Sequence, residues 1–105
     1  MNGIELILQE RQRQIDVEGW SAEHDDAHND GSLIDAAMAY LRNVNGYKIS
    51  RWVDFLRQRT HVPNWPETWA RGWYKPESAI RDLVKSGALI AAEIDRLQRR
   101  TENKG

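Results

Sequence analysis

The sequence has no cysteine, three prolines, one phenylalanine and no long run of apolar residues among its 105 positions. The lack of cysteine excludes a disulfide framework, a thiolate zinc site and a cysteine nucleophile, and it favours a reducing compartment. No segment resembles a signal peptide or a membrane span, because charge appears within the first five residues. We therefore expect a cytoplasmic protein with no membrane partner.

The supply of large aliphatic residues limits the number of hydrophobic cores. Leucine, isoleucine, valine and phenylalanine account for 22 residues, which suits one modest core and not two. We expect a single helical domain over residues 1–105, with a frayed tail at about 101–105.

Charge is unevenly distributed along the chain, although the net charge is only −1. Residues 1–41 carry 2 basic and 9 acidic groups, whereas residues 42–75 carry 7 basic and 2 acidic groups. The acidic first part disfavours binding to long nucleic acids. The basic middle part also holds most of the aromatic residues, a composition suited to planar anions.

Apolar residues at spacings of three and four predict an all-α bundle of three to four helices. The predicted helices span 3–17 (apolar at Ile4, Ile7, Leu8 and Ile15, ended by Gly19), 32–44 (with a capping box of Ser32 and Asp35), 50–59 (capped by Ser50), and about 76–100. Residues 60–76 form a predicted loop rich in proline and tryptophan, with a turn of helix from Pro66 that stacks Trp69 on Trp73.

The predicted last helix carries its apolar residues at regular helical spacing. They are Ile80, Leu83, Val84, Ala88, Ala91, Ile94 and Leu97, and Gly87 interrupts them as a weak point. Ala88, Ala91 and Ala92 would allow close packing against a second copy, so a homo-oligomer is one expectation.

The acidic loop of residues 21–31 contains one short predicted turn of helix and two histidines four residues apart. Its candidate metal ligands are Glu23, His24, Asp25, Asp26 and His28, and the carboxylates among them favour Mg²⁺. The Asp and Ser side chains of such acidic loops more often cap neighbouring helix ends in contact with solvent. We therefore favour this interpretation, with no metal and no cofactor, over a metal site.

Five tryptophans are either replacements for missing core volume or the walls of a ligand site. Indole rings stack on bases, and nearby guanidinium groups hold phosphate. The candidate ligand-binding residues are Trp20, Trp52, Trp65, Trp69, Trp73, Arg51 and Arg71. A site built from stacking and charge binds rather than catalyses, so we assign no catalytic residue.

Residues 10–21, followed by Asp25, Asp26 and His28, resemble a family of small uncharacterised phage and prophage proteins, as do residues 83–97. Residues 18–21 and Asp25 are more distantly similar to the ryanodine-receptor repeat, or RyR domain, although its Tyr-Gly and Pro-Tyr-x-x-Leu segments are missing. The phage resemblance implies an accessory protein that counters host defences or adjusts nucleotide pools. The RyR resemblance implies a helical ligand-binding module.

Three functional hypotheses follow. The leading one is a non-enzymatic phage-type module that binds a small nucleotide or nucleotide-derived signal. The second is a nucleotide hydrolase dependent on a divalent metal, to which Glu93 and Asp95 would add oxygen ligands. The third is a module that anchors on a host protein through exposed tryptophans.

Overall fold

A computed structural model describes residues 1–46 and 65–104, and within these ranges the chain forms helices and loops but no strand. The helices are α1 (Gly3–Asp16), α2 (Ala22–Ala27), α3 (Ser32–Gly46) and α4 (Ala79–Lys104), and a 3₁₀ turn spans Arg71–Trp73. The all-α prediction is confirmed. The predicted helix over 50–59 lies outside the described residues, and with it the predicted site residues Arg51 and Trp52.

Helix α1 begins and ends close to the predicted positions. A reciprocal capping box starts it: the Asn2 side chain accepts from the Glu5 backbone N–H at 2.9 Å, and the Glu5 carboxylate accepts from the Asn2 N–H at 3.0 Å. After the helix, Gly19 adopts a positive φ of 75°, and the Trp20 N–H donates to the Gln14 carbonyl at 3.0 Å. This turn directs the Trp20 side chain back towards the core.

The predicted capping box at the start of α3 is wrong. Ser32 is already the first helical residue, and its N–H donates to the Asp30 carboxylate at 3.0 Å. The Asp35 N–H donates to the carbonyl of Gly31 rather than to the Ser32 hydroxyl. Because Gly31 has a φ of 84°, the chain reverses before Ser32, and Asp30 takes over the capping of this helix end.

The core lies between α3 and α4. Leu33 and Leu89 are fully buried together with small residues that let the two helices approach closely: Ala36, Ala37 and Ala92. Two long-range hydrogen bonds fix the antiparallel register, from Ser86 Oγ to the Ala37 carbonyl at 2.9 Å and from Asn43 Nδ2 to Asp82 Oδ2 at 2.8 Å.

Helix α1 presents a different face to α4 from the one its apolar residues predict. Ile4 and Leu8 are 80% and 69% exposed, whereas the polar side chains of Glu10 and Gln14 are buried. Ile7 packs directly on Gly87, where an added Cβ would lie 2.7 Å from Ile7 Cδ1. Gly87 is therefore the point of close approach between the two helices, and not merely a weak position in α4.

The buried face of helix α4 also differs from the face formed by its predicted apolar residues. Of those positions Val84 and Ala88 are buried, but the larger Ile80, Leu83, Ile94 and Leu97 are exposed. Their places in the interior are taken by Leu89 and Ala92 and by four charged side chains: Asp82, Lys85, Glu93 and Arg96.

The helix continues to Lys104, so the predicted end at about residue 100 is corrected. Despite its length, α4 carries too many charges to cross a bilayer, and no other described helix qualifies either. The long helix instead serves as the platform on which α1, α2 and α3 all pack.

Candidate functional site

The structure brings four of the five predicted site tryptophans into one cluster. Trp69 lies at its centre, with the ring centroids of Trp20, Trp65 and Trp73 at 5.4, 5.6 and 5.6 Å. Trp20 and Trp69 are buried members of the core, whereas the Trp73 side chain is 39% exposed. Trp20 and Trp69 thus supply core volume, whereas Trp73 keeps part of its ring exposed to solvent.

Trp69 and Trp73 meet edge to face rather than in a parallel stack. A turn replaces the predicted turn of helix from Pro66: the Trp69 N–H donates to the Pro66 carbonyl at 3.1 Å, and the Trp73 N–H donates to that of Ala70 at 3.0 Å. The two rings are inclined at 64°. The Trp73 ring therefore contacts Trp69 at an inclination and does not lie parallel to it. Of Arg71, only the backbone is described, within the 3₁₀ turn.

A small cleft opens beside this cluster, between the second half of α1 and the segment that leads into α4. Its walls are Glu10, Arg13, Gln14, Glu18, Trp20, Tyr40, Trp73, Lys75 and Lys85. Its empty space, open solvent included, is about 300 Å³, but the space that the centre of a water-sized sphere can occupy is about 20 Å³. The base of the cleft therefore admits one polar group or water, and a larger ring must rest at the mouth.

A buried carboxylate organises the cations of this cleft. Glu10 Oε1 accepts from Arg81 Nη2 at 2.6 Å and from Arg13 Nε at 2.9 Å, and Oε2 accepts from Arg13 Nη2 at 2.8 Å. Burial alone would raise the pKa of Glu10, but the two guanidinium groups outweigh it and hold the pKa below its ordinary value. Glu10 is thus an anion that fixes Arg13 in place.

Glu18 and Lys75 close the network on the solvent side. Glu18 Oε1 lies 3.1 Å from Arg13 Nη1 and 3.5 Å from Lys75 Nζ. Burial of Glu18 opposes ionisation, but hydrogen bonds and charge from Arg13 and Lys75 prevail and lower its pKa. The 3.5 Å contact is long for an ion pair, so the Lys75 ammonium is free to turn towards an incoming anion.

Lys85 and Tyr40 anchor the segment that carries Lys75. The buried Lys85 ammonium donates to the Lys75 carbonyl and pairs with Glu77 at 2.9 Å, while the Tyr40 hydroxyl accepts from the Lys75 N–H at 3.1 Å. Burial raises the pKa of Tyr40, which keeps the hydroxyl neutral. With three cations and two anions in its walls, the cleft has an excess of one positive charge.

Gln14 supplies an acceptor to the same cleft. Its side chain is almost fully buried, and its Nε2 donates weakly to Glu10 Oε2 at 3.4 Å. Its Oε1 is buried and accepts no hydrogen bond from any described residue. Because an unsatisfied buried carbonyl is costly, this atom favours an N–H donor placed at the base of the cleft.

Glu10, Arg13, Gln14 and Lys85 were not predicted as site residues. In the sequence they are polar residues on amphipathic helices, and such residues are ordinarily assigned to the solvent face. The spacing of Glu10, Arg13 and Gln14 at i, i+3 and i+4 was the available signal, since it places the three side chains together on one face.

The acidic loop is built into the fold through ion pairs. Asp25 is fully buried and accepts from Arg11 at 2.7 Å and from His24 Nδ1 at 3.1 Å, while Asp26 pairs with Arg99 at 2.8 Å. The expectation of a purely solvated loop is therefore wrong for Asp25.

The candidate metal ligands do not converge. The carboxylates of Asp25 and Asp26 are committed to arginines, Glu23 is exposed, and the His24 and His28 rings pack on each other at 4.5 Å. Glu93 is paired with Arg96. In the described part of the chain, no three histidine, aspartate or glutamate side chains come together to form a metal site.

Comparisons with known proteins supply no function for this chain, so any functional assignment rests on the geometry of the cleft. No family model matches the chain, no curated protein matches it, and no solved structure matches it. The resemblances to phage proteins and to the RyR domain therefore remain predictions from short sequence segments.

Proposed function

We propose that the chain is a non-enzymatic module that binds a small nucleotide or a nucleotide-derived signal in the cleft beside Trp73. The observation that carries the proposal is that one cleft is lined by the partly exposed indole of Trp73, by the Arg13 and Lys75 cations and by Gln14, whose buried Oε1 accepts no hydrogen bond. Stacking surface, positive charge and a hydrogen-bond acceptor are the three features that a nucleotide engages.

Each part of the ligand has a corresponding protein group. The base rests on the exposed part of Trp73, and one base N–H donates to Gln14 Oε1 at the bottom of the cleft. The phosphate binds Lys75, which leaves its long contact with Glu18, and it meets Arg13 at the rim. Because the enclosed space is small, only an edge of the base enters.

The phage resemblance gives this proposal a biological setting. A small cytoplasmic module of this kind, carried by a phage, would sequester a nucleotide-derived signal of the host and so counter its defence. Binding without turnover is sufficient for that role.

Isothermal titration calorimetry against mono-, di- and cyclic nucleotides tests the proposal. We expect at least one to bind with a sub-millimolar Kd, and we expect Trp73→Ala to weaken its binding by about 10-fold or more, in line with about 1 to 3 kcal/mol per stacked base. Lys75→Ala should weaken phosphorylated ligands more than the matching nucleosides.

Arg42→Ala is the matched control for Lys75→Ala, because Arg42 is an exposed cation that does not line the cleft. It should leave the Kd unchanged. Absence of heat with the whole panel, or equal effects of Lys75→Ala and Arg42→Ala, would contradict the proposal.

A further inference from the structure

Helix α4 exposes large apolar side chains on either side of Gly87, the position at which Ile7 of α1 packs on it. Leu83, Ile90, Ile94 and Leu97 are each between 38% and 51% exposed. With Gly87 and Thr101 they alternate at intervals of four and three residues, and we refer to these six positions as the α4 stripe. This spacing is that of the a and d positions through which two helices pack along their length.

The α4 stripe is bordered by further apolar surface from α1. Ile7 of α1 packs on Gly87, so α1 meets the stripe at this position. The neighbouring Ile4 and Leu8 are largely exposed. Together these side chains expose on the order of 500 Å² per copy, so a pair of copies would bury on the order of 1,000 Å², about the lower bound for a specific interface.

We propose that the α4 stripe is the interface of a two-fold dimer of this chain. A second copy brings a helix of the same heptad spacing, and two-fold symmetry places the same surface on both sides. None of the six positions is charged, so the pairing places no charged side chain along the centre of the interface. The open surface formed by Ile94, Leu97, Gln98 and Thr101 of α4 would receive apolar side chains of the second α4.

This interface differs from the alanine face that the sequence predicts for oligomerisation. Of the predicted Ala88, Ala91 and Ala92, Ala88 and Ala92 are fully buried within one copy and Ala91 is half-buried. The two buried alanines are therefore not open to a second copy, and the larger residues of the α4 stripe take that part.

Sedimentation velocity of the full chain between 1 and 500 µM, a range we choose to bracket weak and strong dimers, tests the proposal. We expect a dimer, and we expect Ile94→Glu to raise its dissociation constant at least 100-fold while the helical circular dichroism is retained. Leu41→Glu is the matched control, because Leu41 on α3 is 40% exposed and outside the stripe. A monomer at every concentration, or equal weakening by both variants, would overturn the proposal.

Single cysteines provide a second readout, since the chain has none of its own. If the two α4 helices are parallel, Leu83→Cys, Ile90→Cys and Leu97→Cys should each form a disulfide-linked dimer under oxidation. If they are antiparallel and use all six positions, Ile90 faces Ile94 of the second copy, so a mixture of Ile90→Cys and Ile94→Cys chains should cross-link. Absence of cross-linking in the three single variants and in the mixture contradicts the interface.

The dimer and the nucleotide cleft can be tested separately. Ile94 does not line the cleft, so Ile94→Glu should bind nucleotides as the wild type does. Failure of the calorimetry therefore leaves the dimer standing, and failure of the sedimentation experiment leaves the nucleotide proposal standing.

Discussion

Glu10 is the residue on which most of the cleft depends. It is buried, and it accepts hydrogen bonds from Arg13 and Arg81, which lie on different helices. We expect Glu10→Gln to lower the free energy of unfolding by about 2 to 3 kcal/mol, because the amide retains the shape but removes the buried charge shared by two guanidinium groups. Arg13 and Arg81 then keep only their more exposed partners, Glu18 and Glu77. Urea denaturation measures the loss.

Glu23→Gln serves as the control for Glu10→Gln, since Glu23 is exposed on α2. It should change stability by less than about 0.5 kcal/mol. If the two substitutions cost the same, Glu10 does not hold the network together.

His28 gives stability a dependence on pH near neutrality. Burial and the neighbouring His24 lower the pKa of His28 below 6.5. The folded state therefore favours neutral His28, and the stability that this provides is present above pH 6.5 and lost as the pH falls through the lowered pKa. We expect the free energy of unfolding to fall less between pH 7 and 5 in His28→Gln than in the wild type.

The carboxylates titrate in a separate and more acidic window. The pKa values of Glu10, Glu18 and Glu77 are lowered from 4.5 by their cationic partners, so the stability they provide is present above pH 4.5 and lost below it. His28→Gln should leave the fall in the free energy of unfolding below pH 4.5 unchanged. A variant that altered the pH dependence of stability equally in the neutral and the acidic range would indicate a general loss of structure.

At the scale of single elements, the contact of Ile7 with Gly87 determines how closely α1 approaches α4. Gly87→Ala gains about 1 kcal/mol of helix propensity, but its Cβ would meet Ile7 Cδ1 at 2.7 Å. We expect the two effects to cancel approximately in the wild type. In an Ile7→Ala background, the same substitution should stabilise the protein by about 1 kcal/mol.

Thermal or urea unfolding of the four proteins in this double-mutant cycle measures the coupling between the two positions. Equal effects of Gly87→Ala in both backgrounds would show that Ile7 does not restrict position 87. A strong loss of stability in both would mean that the backbone, and not the Ile7 side chain, is the obstacle.

The existence of the long helices was predictable from sequence, but their orientation about their own axes was not. In α1, Ile4 and Leu8 give the stronger apolar pattern, yet Ile7 faces α4 together with the polar Glu10 and Gln14. In α4, both the buried Val84, Ala88 and Leu89 and the exposed α4 stripe are apolar. Periodicity identifies such a helix but does not determine which apolar side meets its neighbours.

Of the candidate site, only the tryptophan cluster was predictable from the sequence, because its residues stand out by their aromatic side chains. Trp20, Trp65, Trp69 and Trp73 do come together, because the loop before α4 folds back over the core. The other wall of the cleft depends on Glu10 and Gln14 being buried, and their burial follows from partners as distant in sequence as Arg81. A single sequence does not show such long-range pairings.

At the scale of the whole molecule, dimerisation and stability must be linked if the α4 stripe is an interface. Because only folded chains associate, dimerisation makes the melting temperature depend on protein concentration. We expect the Tm of the wild type to rise by several degrees over a hundredfold increase in concentration, as measured by calorimetry.

The Tm of Ile94→Glu should be independent of concentration, and at low concentration it should equal or exceed that of the wild type, because the charge is placed on a surface that is exposed in the separated copy. Leu41→Glu should retain the concentration dependence of the wild type. A concentration-independent Tm in the wild type would mean that the exposed apolar residues of α4 are tolerated by the single chain. The α4 stripe would then be a feature of its surface and not of an assembly.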